Sequence, residues 1–140
     1  MTKTITLTRP DDWHIHFRDN KAMQSVLSDT ARVFGRAIVM PNLKPPVATL
    51  ADAAAYYSRI QQAANGTAFK PLMTLYLTDN TPPAEIRLAK DSGIVHAVKY
   101  YPAGATTNSD SGVNEHKKAY TAIAEMEKIG MPLLLHGEVT

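Results

Sequence analysis

This sequence of 140 residues contains no cysteine, and it also lacks strong net charge and long apolar runs. Without cysteine, the chain forms no disulfide and offers no thiolate to a metal ion or to a nucleophilic mechanism. The net charge of +2, with lysine and arginine scattered along the chain, argues against nucleic acid as a partner. No apolar run approaches the roughly eighteen residues that cross a bilayer, and no signal peptide follows Met1. We therefore expect a soluble cytoplasmic protein that binds neither nucleic acid nor a membrane.

The residues that are present favour one globular domain of alternating strands and helices. Hydrophobic residues make up 44% and charged residues 20% of the chain, proportions typical of a folded domain. Helical spacing of apolar residues predicts four helices, at 23–34, 50–64, 81–90 and 114–129. Thr49 is a suitable N-cap for the second helix, and Gly130 ends the fourth. Strand character is found at 4–7 (followed by a turn at 9–12), around His14 and His16, and at 36–40, 71–77, 94–100 and 131–136.

This alternation is the pattern of a parallel sheet with helical crossovers. Two architectures have it: an open doubly wound sheet and a (β/α) barrel. No glycine-rich phosphate loop follows the first strand, which removes the usual reason to prefer the doubly wound sheet. Polar side chains instead stand at the ends of four strands, where the loops of a barrel carry function. We predict an α/β fold that is part of a (β/α)8 barrel.

The predicted barrel is not closed by the strands in this sequence. A barrel of this type needs eight units and about 250 residues, whereas we find four units and a fifth strand. An unclosed parallel sheet would leave an unpaired edge and an apolar inner face in water. We therefore interpret residues 1–140 as the N-terminal part of a single barrel domain whose remainder is missing.

The segment Asp-Trp-His-Ile-His-Phe-Arg-Asp at 12–19 carries the first candidate site residues. In an extended chain His14, His16 and Arg18 share one face, while Trp13, Ile15 and Phe17 form an apolar face for packing. Two imidazoles on one face can share a metal ion. An edge strand with two surface histidines explains the same pattern, so His-x-His alone decides nothing.

Two further strands end in residues that suit a metal site. Lys99 follows apolar neighbours on its own face, and burial of an ammonium lowers its pKa and favours the neutral amine. Such an amine reacts with carbon dioxide to give a carbamate, which can bridge two metal ions; the alternative is a lysine whose head reaches water. His136 ends an apolar strand and can reach across a barrel mouth, or it can simply cap the strand. By contrast, we expect His96 on the helix-facing side and His116 on the surface.

Together, four segments resemble the dihydroorotase family of the amidohydrolase superfamily, in particular its shorter, single-function bacterial type. These segments are 12–19, 39–46 (Val-Met-Pro-Asn-Leu-Lys-Pro-Pro), 99–108 (Lys-Tyr-Tyr-Pro-Ala-Gly-Ala-Thr-Thr-Asn) and 132–138 (Pro-Leu-Leu-Leu-His-Gly-Glu). They follow in the family's order and spacing and span essentially the whole chain. One position departs from the pattern, because Gly104 stands where we expect a bulkier polar residue such as Asn.

The resemblance implies a centre of two zinc ions in each complete subunit. His14 and His16 match ligands of the more buried zinc, and His136 matches a ligand of the second. Lys99 matches the lysine that is carboxylated and bridges both ions. Two zinc ions lower the pKa of a bridging water, which supplies hydroxide near neutral pH, and they polarise the amide carbonyl.

The resemblance also implies a substrate and a reaction, the reversible cyclisation of N-carbamoyl-L-aspartate to L-dihydroorotate in pyrimidine synthesis. Arg18 and Asn42 match residues that hold the substrate carboxylate. Thr106 and Thr107 match a mobile loop that closes over the substrate. The family is homodimeric, so a homodimer is expected. We found no apolar patch in the sequence that indicates one.

Several family residues have no counterpart before Thr140. These are the aspartate that is both general acid/base and zinc ligand, a histidine ligand after a sixth strand, and a histidine that helps to bind substrate. We therefore predict that these 140 residues alone are inactive.

Two alternative functions remain open. A hydantoinase or allantoinase would share the histidines and the lysine without needing Arg18 and Asn42. A non-catalytic subunit that stabilises a partner enzyme is the remaining alternative, although such paralogues often lose metal ligands.

Overall fold

The structure, a computed structural model, describes residues 3–138 and contains one parallel five-stranded sheet with four helices. The strands lie side by side in chain order and form a curled half-barrel. The strands are β1 (Asp11–Ile15), β2 (Arg36–Val39), β3 (Lys70–Tyr76), β4 (Val95–Tyr100) and β5 (Leu133–Leu135). The helices are α1 (Lys21–Val33), α2 (Leu50–Ala64), α3 (Pro83–Asp91) and α4 (His116–Ile129). The predicted α/β fold, part of a barrel, is confirmed.

The middle strands of the sheet have buried side chains on both faces, of which the helices cover one. The expectation that the inner face of the unclosed sheet lies in water is therefore wrong, because the concave-face side chains of these strands bury one another. The helix-facing core combines alternate strand residues such as Val39, Leu75 and Val98 with helix residues such as Ile60 and Ile86. A second set of buried side chains lies outside this core, on the concave face of the half-barrel: Ile38, Met40, Thr74, Tyr76, Ala97, Lys99 and Tyr101. The concave face is therefore where a buried lysine and two tyrosine rings meet.

The bounds of α2 and the end of α4 lie where local chemistry predicts them, whereas α1, α3 and the start of α4 differ from the predicted bounds by one or two residues. Thr49 forms a capping box with Asp52: its side chain accepts from the Asp52 amide, while the Asp52 carboxylate accepts from the Thr49 amide. Gly130 ends α4 in the left-handed conformation at φ 63°. Among residues 3–138, no helix is both long and apolar enough to cross a membrane.

The N-terminal strand prediction is wrong in part. The segment at 4–7 lies outside the sheet, and Ile5 and Leu7 are each 81% exposed. The strand instead begins at Asp11, inside the predicted turn, because Asp11 pairs in register with Arg36 and binds its guanidinium at 3.1 Å. Local propensity favours a strand at 4–7, but no neighbouring strand pairs with it.

The two edge strands carry exposed apolar side chains. On β1, Trp13 is 63% exposed, although alternation predicts a packed apolar face there. Phe17 does pack as predicted, with 1% of its surface exposed. On β5, Leu133 and Leu135 are 40% and 61% exposed. The Arg36 guanidinium lies over the Trp13 ring, at 5.8 Å from its centroid.

Candidate metal and substrate site

A cleft of about 150 Å³ opens at the carboxyl ends of the strands. Its walls contain every predicted site residue except Lys99, namely His14, His16, Arg18, Asn42, Thr106, Thr107 and His136. They also contain Tyr101, which was not predicted. Lys99 lies beside it on the concave face, close enough for its positive charge to act on both His14 and His16. The fold thus brings together side chains that are up to 122 residues apart in the sequence, from His14 to His136.

The two histidines of the first segment converge at this cleft. Their Nε2 atoms are 3.1 Å apart, and the ring centroids are 5.0 Å apart. The register of β1 against β2 shifts between Asp12 and Ile15, next to His14. Such irregularities re-aim side chains near functional sites. Two nitrogens this close can face a single ion.

Asn42 determines which nitrogen of His16 is free. Its Oδ1 lies 2.8 Å from His16 Nδ1, and because a carbonyl oxygen only accepts, Nδ1 carries the proton. The lone pair of His16 is therefore on Nε2, the atom that faces His14. An outer partner of this kind fixes the ring and the tautomer of a metal-binding histidine.

The environment favours the neutral forms of both imidazoles. Burial lowers the pKa of His14, and the positive charge of Lys99 adds to that effect. Burial also lowers the pKa of His16, against the opposing effect of the hydrogen bond to Asn42. Neutral imidazole is the form that binds metal, so both side chains are in the appropriate state near neutral pH.

Lys99 is a buried lysine without a carboxylate partner. It is 3% exposed, and no acidic group among residues 3–138 lies within salt-bridge distance. Its Nζ is 5.1 Å from the ring centroid of Tyr101. Burial lowers the pKa of this amine. A less basic amine is more often neutral and so more reactive towards carbon dioxide.

His136 lies in the cleft wall directly after β5. Its backbone amide donates to the Tyr100 carbonyl at 3.0 Å, which extends the β4–β5 pairing to the cleft. Its Nε2 pairs with the Glu138 carboxylate at 2.7 Å. Metal binding through Nε2 would therefore require His136 to exchange Glu138 for the ion.

The substrate-binding candidates are linked to the loop after β4 through Asn42, which is 2% exposed. Arg18 Nη1 donates to the Asn42 carbonyl at 3.1 Å, and Asn108 Nδ2 donates to the same carbonyl at 2.9 Å. Asn42 Nδ2 donates to the Thr107 carbonyl, also at 2.9 Å. The loop therefore rests on the same residue that orients His16 and Arg18. A primary amide has a second N–H, so Asn42 can still donate to a ligand.

Close packing holds the base of this loop. A side chain at Gly112 would place its Cβ 2.3 Å from the Tyr101 carbonyl, so only glycine fits there. Gly104 adopts φ 76°, and a Cβ there would meet nothing within 4 Å. Asparagine tolerates this left-handed conformation. Glycine and asparagine can therefore adopt the same backbone conformation at position 104.

Tyr101 is the site residue that the sequence reasoning missed. It is 1% exposed, and its hydroxyl has no hydrogen-bond partner within the described chain. It lies two residues after Lys99 on the same face of the strand, which alternation could have indicated. His116 is exposed, as predicted, and His96 is also exposed; neither residue lines the cleft.

The donor atoms in this cleft fit a zinc ion. Two imidazole Nε2 atoms converge, and the carbamate form of Lys99 would add an anionic oxygen pair, a set of nitrogen and oxygen donors that zinc accepts. Within residues 3–138, no group of three His, Cys, Asp or Glu side chains converges on one point. Lys99 is therefore the residue on which a shared site depends.

Residues 5–139 match the amidohydrolase family, and the chain belongs to that family. Within it, the chain is 66% identical over 137 residues to a protein named dihydroorotase from a Picosynechococcus strain, covering 97% of this chain. The crystal structure of dihydroorotase from Campylobacter jejuni superposes with a TM-score of 0.87 at 38% identity, over 94% of this chain. The resemblance predicted from the four segments is confirmed.

Two facts define the reach of these similarities. The chain spans about 40% of the length of the curated relatives it matches and 39% of the Campylobacter jejuni structure. L-Hydantoinase from Arthrobacter aurescens also superposes, with a TM-score of 0.75 over 93% of this chain, but at 18% identity. That likeness shows a shared fold and nothing about the reaction.

Proposed function

We propose that this chain is the N-terminal part of a dihydroorotase, which interconverts N-carbamoyl-L-aspartate and L-dihydroorotate in pyrimidine synthesis. The observation that carries the proposal is that one cleft contains two histidines whose Nε2 atoms converge and an arginine beside an asparagine, which we interpret as a metal-binding pair and a carboxylate receptor. The pair is His14 and His16, and the receptor is Arg18 beside Asn42. The 66% identity to a protein named dihydroorotase supports the same substrate.

The chain's own residues would hold two zinc ions in each complete subunit. His14 and His16 would bind one ion, His136 would bind the other, and carboxylated Lys99 would bridge them. When bound, the ions would supply a hydroxide near neutral pH and polarise the reacting carbonyl. The burial of Lys99, with no acidic partner among residues 3–138, supports this role: the neutral amine would add to carbon dioxide and lose a proton to give a carbamate, whose anionic oxygens the metal ions would stabilise.

The other cleft residues would bind and enclose the substrate. The guanidinium of Arg18 offers a planar pair of donors to the substrate carboxylate, and Asn42 offers the second N–H of its amide. Thr106 and Thr107 would close over the ring and exclude water. The general acid/base would be an aspartate supplied by the rest of the barrel. We further propose a cytoplasmic homodimer, as in the family.

The test is an assay of the full-length protein on dihydroorotate and on hydantoin. We expect hydrolysis of dihydroorotate. In Arg18→Gln, kcat/KM should fall at least about tenfold because KM rises, since a charge-assisted contact to the carboxylate is lost. Preference for hydantoin, with no effect of Arg18→Gln, would contradict the proposal in favour of a hydantoinase. No hydrolysis of either ring, with no bound zinc, would indicate a non-catalytic subunit. The 140 residues alone are expected to be inactive.

A further inference from the structure

We propose that Tyr56 and Arg59 of α2 are positioning residues that set the orientation of Arg18 towards the substrate carboxylate. This inference rests on the proposed function, since it assigns the carboxylate to Arg18. Neither residue lines the cleft, and both act through the backbone and side chains on either side of Arg18.

Two contacts from α2 bracket Arg18. Before it, the Tyr56 hydroxyl donates to the Phe17 carbonyl, and the tyrosine side chain is fully buried. After it, Arg59 donates to both carboxylate oxygens of Asp19, with Nε–Oδ1 and Nη2–Oδ2 distances of 2.9 Å each. The segment that carries Arg18 is thus held at residues 17 and 19 by one helix.

The two α2 residues form a single unit. They are three positions apart, so they lie on the same face of the helix. The Arg59 guanidinium lies over the Tyr56 ring at 5.4 Å from its centroid. This contact restrains the guanidinium against the ring, and its two-point contact to Asp19 sets the direction of that carboxylate. We refer to Tyr56, Arg59 and Asp19 as the α2 clamp.

The α2 clamp matters for geometry more than for stability. The side chains of Arg59 and Asp19 are 41% and 32% exposed, and an ion pair so open to water contributes little to folding. Arg18 itself makes one hydrogen bond, to the Asn42 carbonyl, among the described contacts. Since a guanidinium carries five N–H donors, most remain for a ligand, and their direction depends on the backbone that the clamp holds.

The chain contains a matched control for this contact. The Arg36 guanidinium also binds both oxygens of an aspartate, Asp11, at the opposite end of the same β1 region. That pair joins β1 to β2, and neither of its residues lines the cleft. Like Arg59, the Arg36 guanidinium also lies over an aromatic ring, that of Trp13. Arg36→Ala therefore removes the same type of interaction without touching Arg18.

The experiment compares two substrates in the full-length protein: dihydroorotate, and dihydrouracil, which is the same ring without the carboxylate. For Arg59→Ala we expect KM for dihydroorotate to rise about tenfold or more with a smaller change in kcat, because the carboxylate receptor is displaced. The kcat/KM for dihydrouracil should stay unchanged. Arg59→Lys, which keeps the charge but not the two-point contact, should restore part of the loss. Arg36→Ala should leave both substrates unaffected.

Tyr56→Phe provides a second, milder test, because it removes one hydroxyl and keeps the buried ring. It should also raise KM for dihydroorotate, so the test remains valid even if Arg59→Ala lowers the folded fraction of the protein. Equal losses on both substrates, or no change in KM from either variant, would overturn the role of the clamp while leaving the proposed function in place. A full-length protein without activity on dihydroorotate would overturn the proposed function, and this role with it.

Discussion

At the scale of single residues, Lys99 is the clearest sign of function. Lys99 is buried and has no acidic partner between residues 3 and 138, and a buried ammonium in that setting costs free energy that a core methionine would not. The fold nevertheless places it beside two histidines whose Nε2 atoms converge. A residue that lowers stability where chemistry is possible is best explained by that chemistry.

Replacing Lys99 should therefore separate activity from stability. We expect the kcat of dihydroorotate hydrolysis to fall at least about a hundredfold in Lys99→Met. Loss of a residue that only hydrogen-bonds to a metal ligand lowers activity about 10- to 100-fold, and loss of a bridging ligand should lower it more. Its melting temperature should be equal or higher, because a buried cation is removed. Lys70→Met, at the exposed start of β3, is the matched control and should change neither quantity. A Lys99→Met protein with full zinc content and activity would refute the bridging role.

Asn42 allows a second separation at this scale, because its amide faces two ways. We expect Asn42→Ala to weaken zinc binding about 10- to 100-fold, since His16 loses its orienting acceptor. Asn42→Asp keeps an acceptor for His16 but loses the donor to Thr107, so zinc affinity should stay close to that of the unchanged protein while KM rises. Chelator competition measures the first quantity and steady-state kinetics the second. Equal loss of zinc in both variants would argue against an orienting role.

At the scale of elements, the start of α2 illustrates how local chemistry defines a boundary. The Thr49–Asp52 capping box satisfies two amides at the helix start. We expect Thr49→Ala to lower the free energy of unfolding by about 1 kcal/mol. Thr67→Ala, at an exposed site after the same helix, should stay within about 0.5 kcal/mol of the unchanged protein. Urea denaturation of both variants checks this, and indistinguishable midpoints would contradict the cap.

The elements also show which parts of the structure can be predicted from sequence. Caps such as Thr49 and Gly130 act within a few residues, so the bounds of α2 and the end of α4 agree with the prediction. The strand predicted at 4–7 failed because a strand exists only through its pairing partner, and the partner of β2 is the chain from Asp11 onwards. Propensity cannot choose between two neighbouring segments.

The candidate site divides in the same way. The residues that meet in the cleft could be predicted, because the carboxyl ends of parallel strands share one edge. Their connections could not. Asn42 binds Thr107 across 65 positions, and Arg59 binds Asp19 across 40, and such contacts depend on how loops and helices settle against the sheet. The unpartnered hydroxyl of Tyr101 is likewise a property of packing, even though its position beside Lys99 was predictable.

At the scale of the whole molecule, the half-barrel shape organises these observations. Its two edge strands expose Trp13, Leu133 and Leu135, while the strands between them are covered. The chain spans about 40% of the length of its curated relatives. Under the proposed function, the remaining strands of a full-length barrel would pair with β1 and β5 and bring the general acid/base to the cleft.

The most direct measurement is an anomalous-diffraction map of the full-length protein, crystallised with zinc and recorded at the zinc absorption edge. The proposed function predicts two anomalous peaks beside Lys99, one bound by His14 and His16 and the other by His136, with extra density for a carbamate on the lysine. It also predicts that His136 has exchanged Glu138 for the ion. Peaks elsewhere, or an unmodified Lys99 in a cleft without metal, would contradict a binuclear zinc centre in this protein.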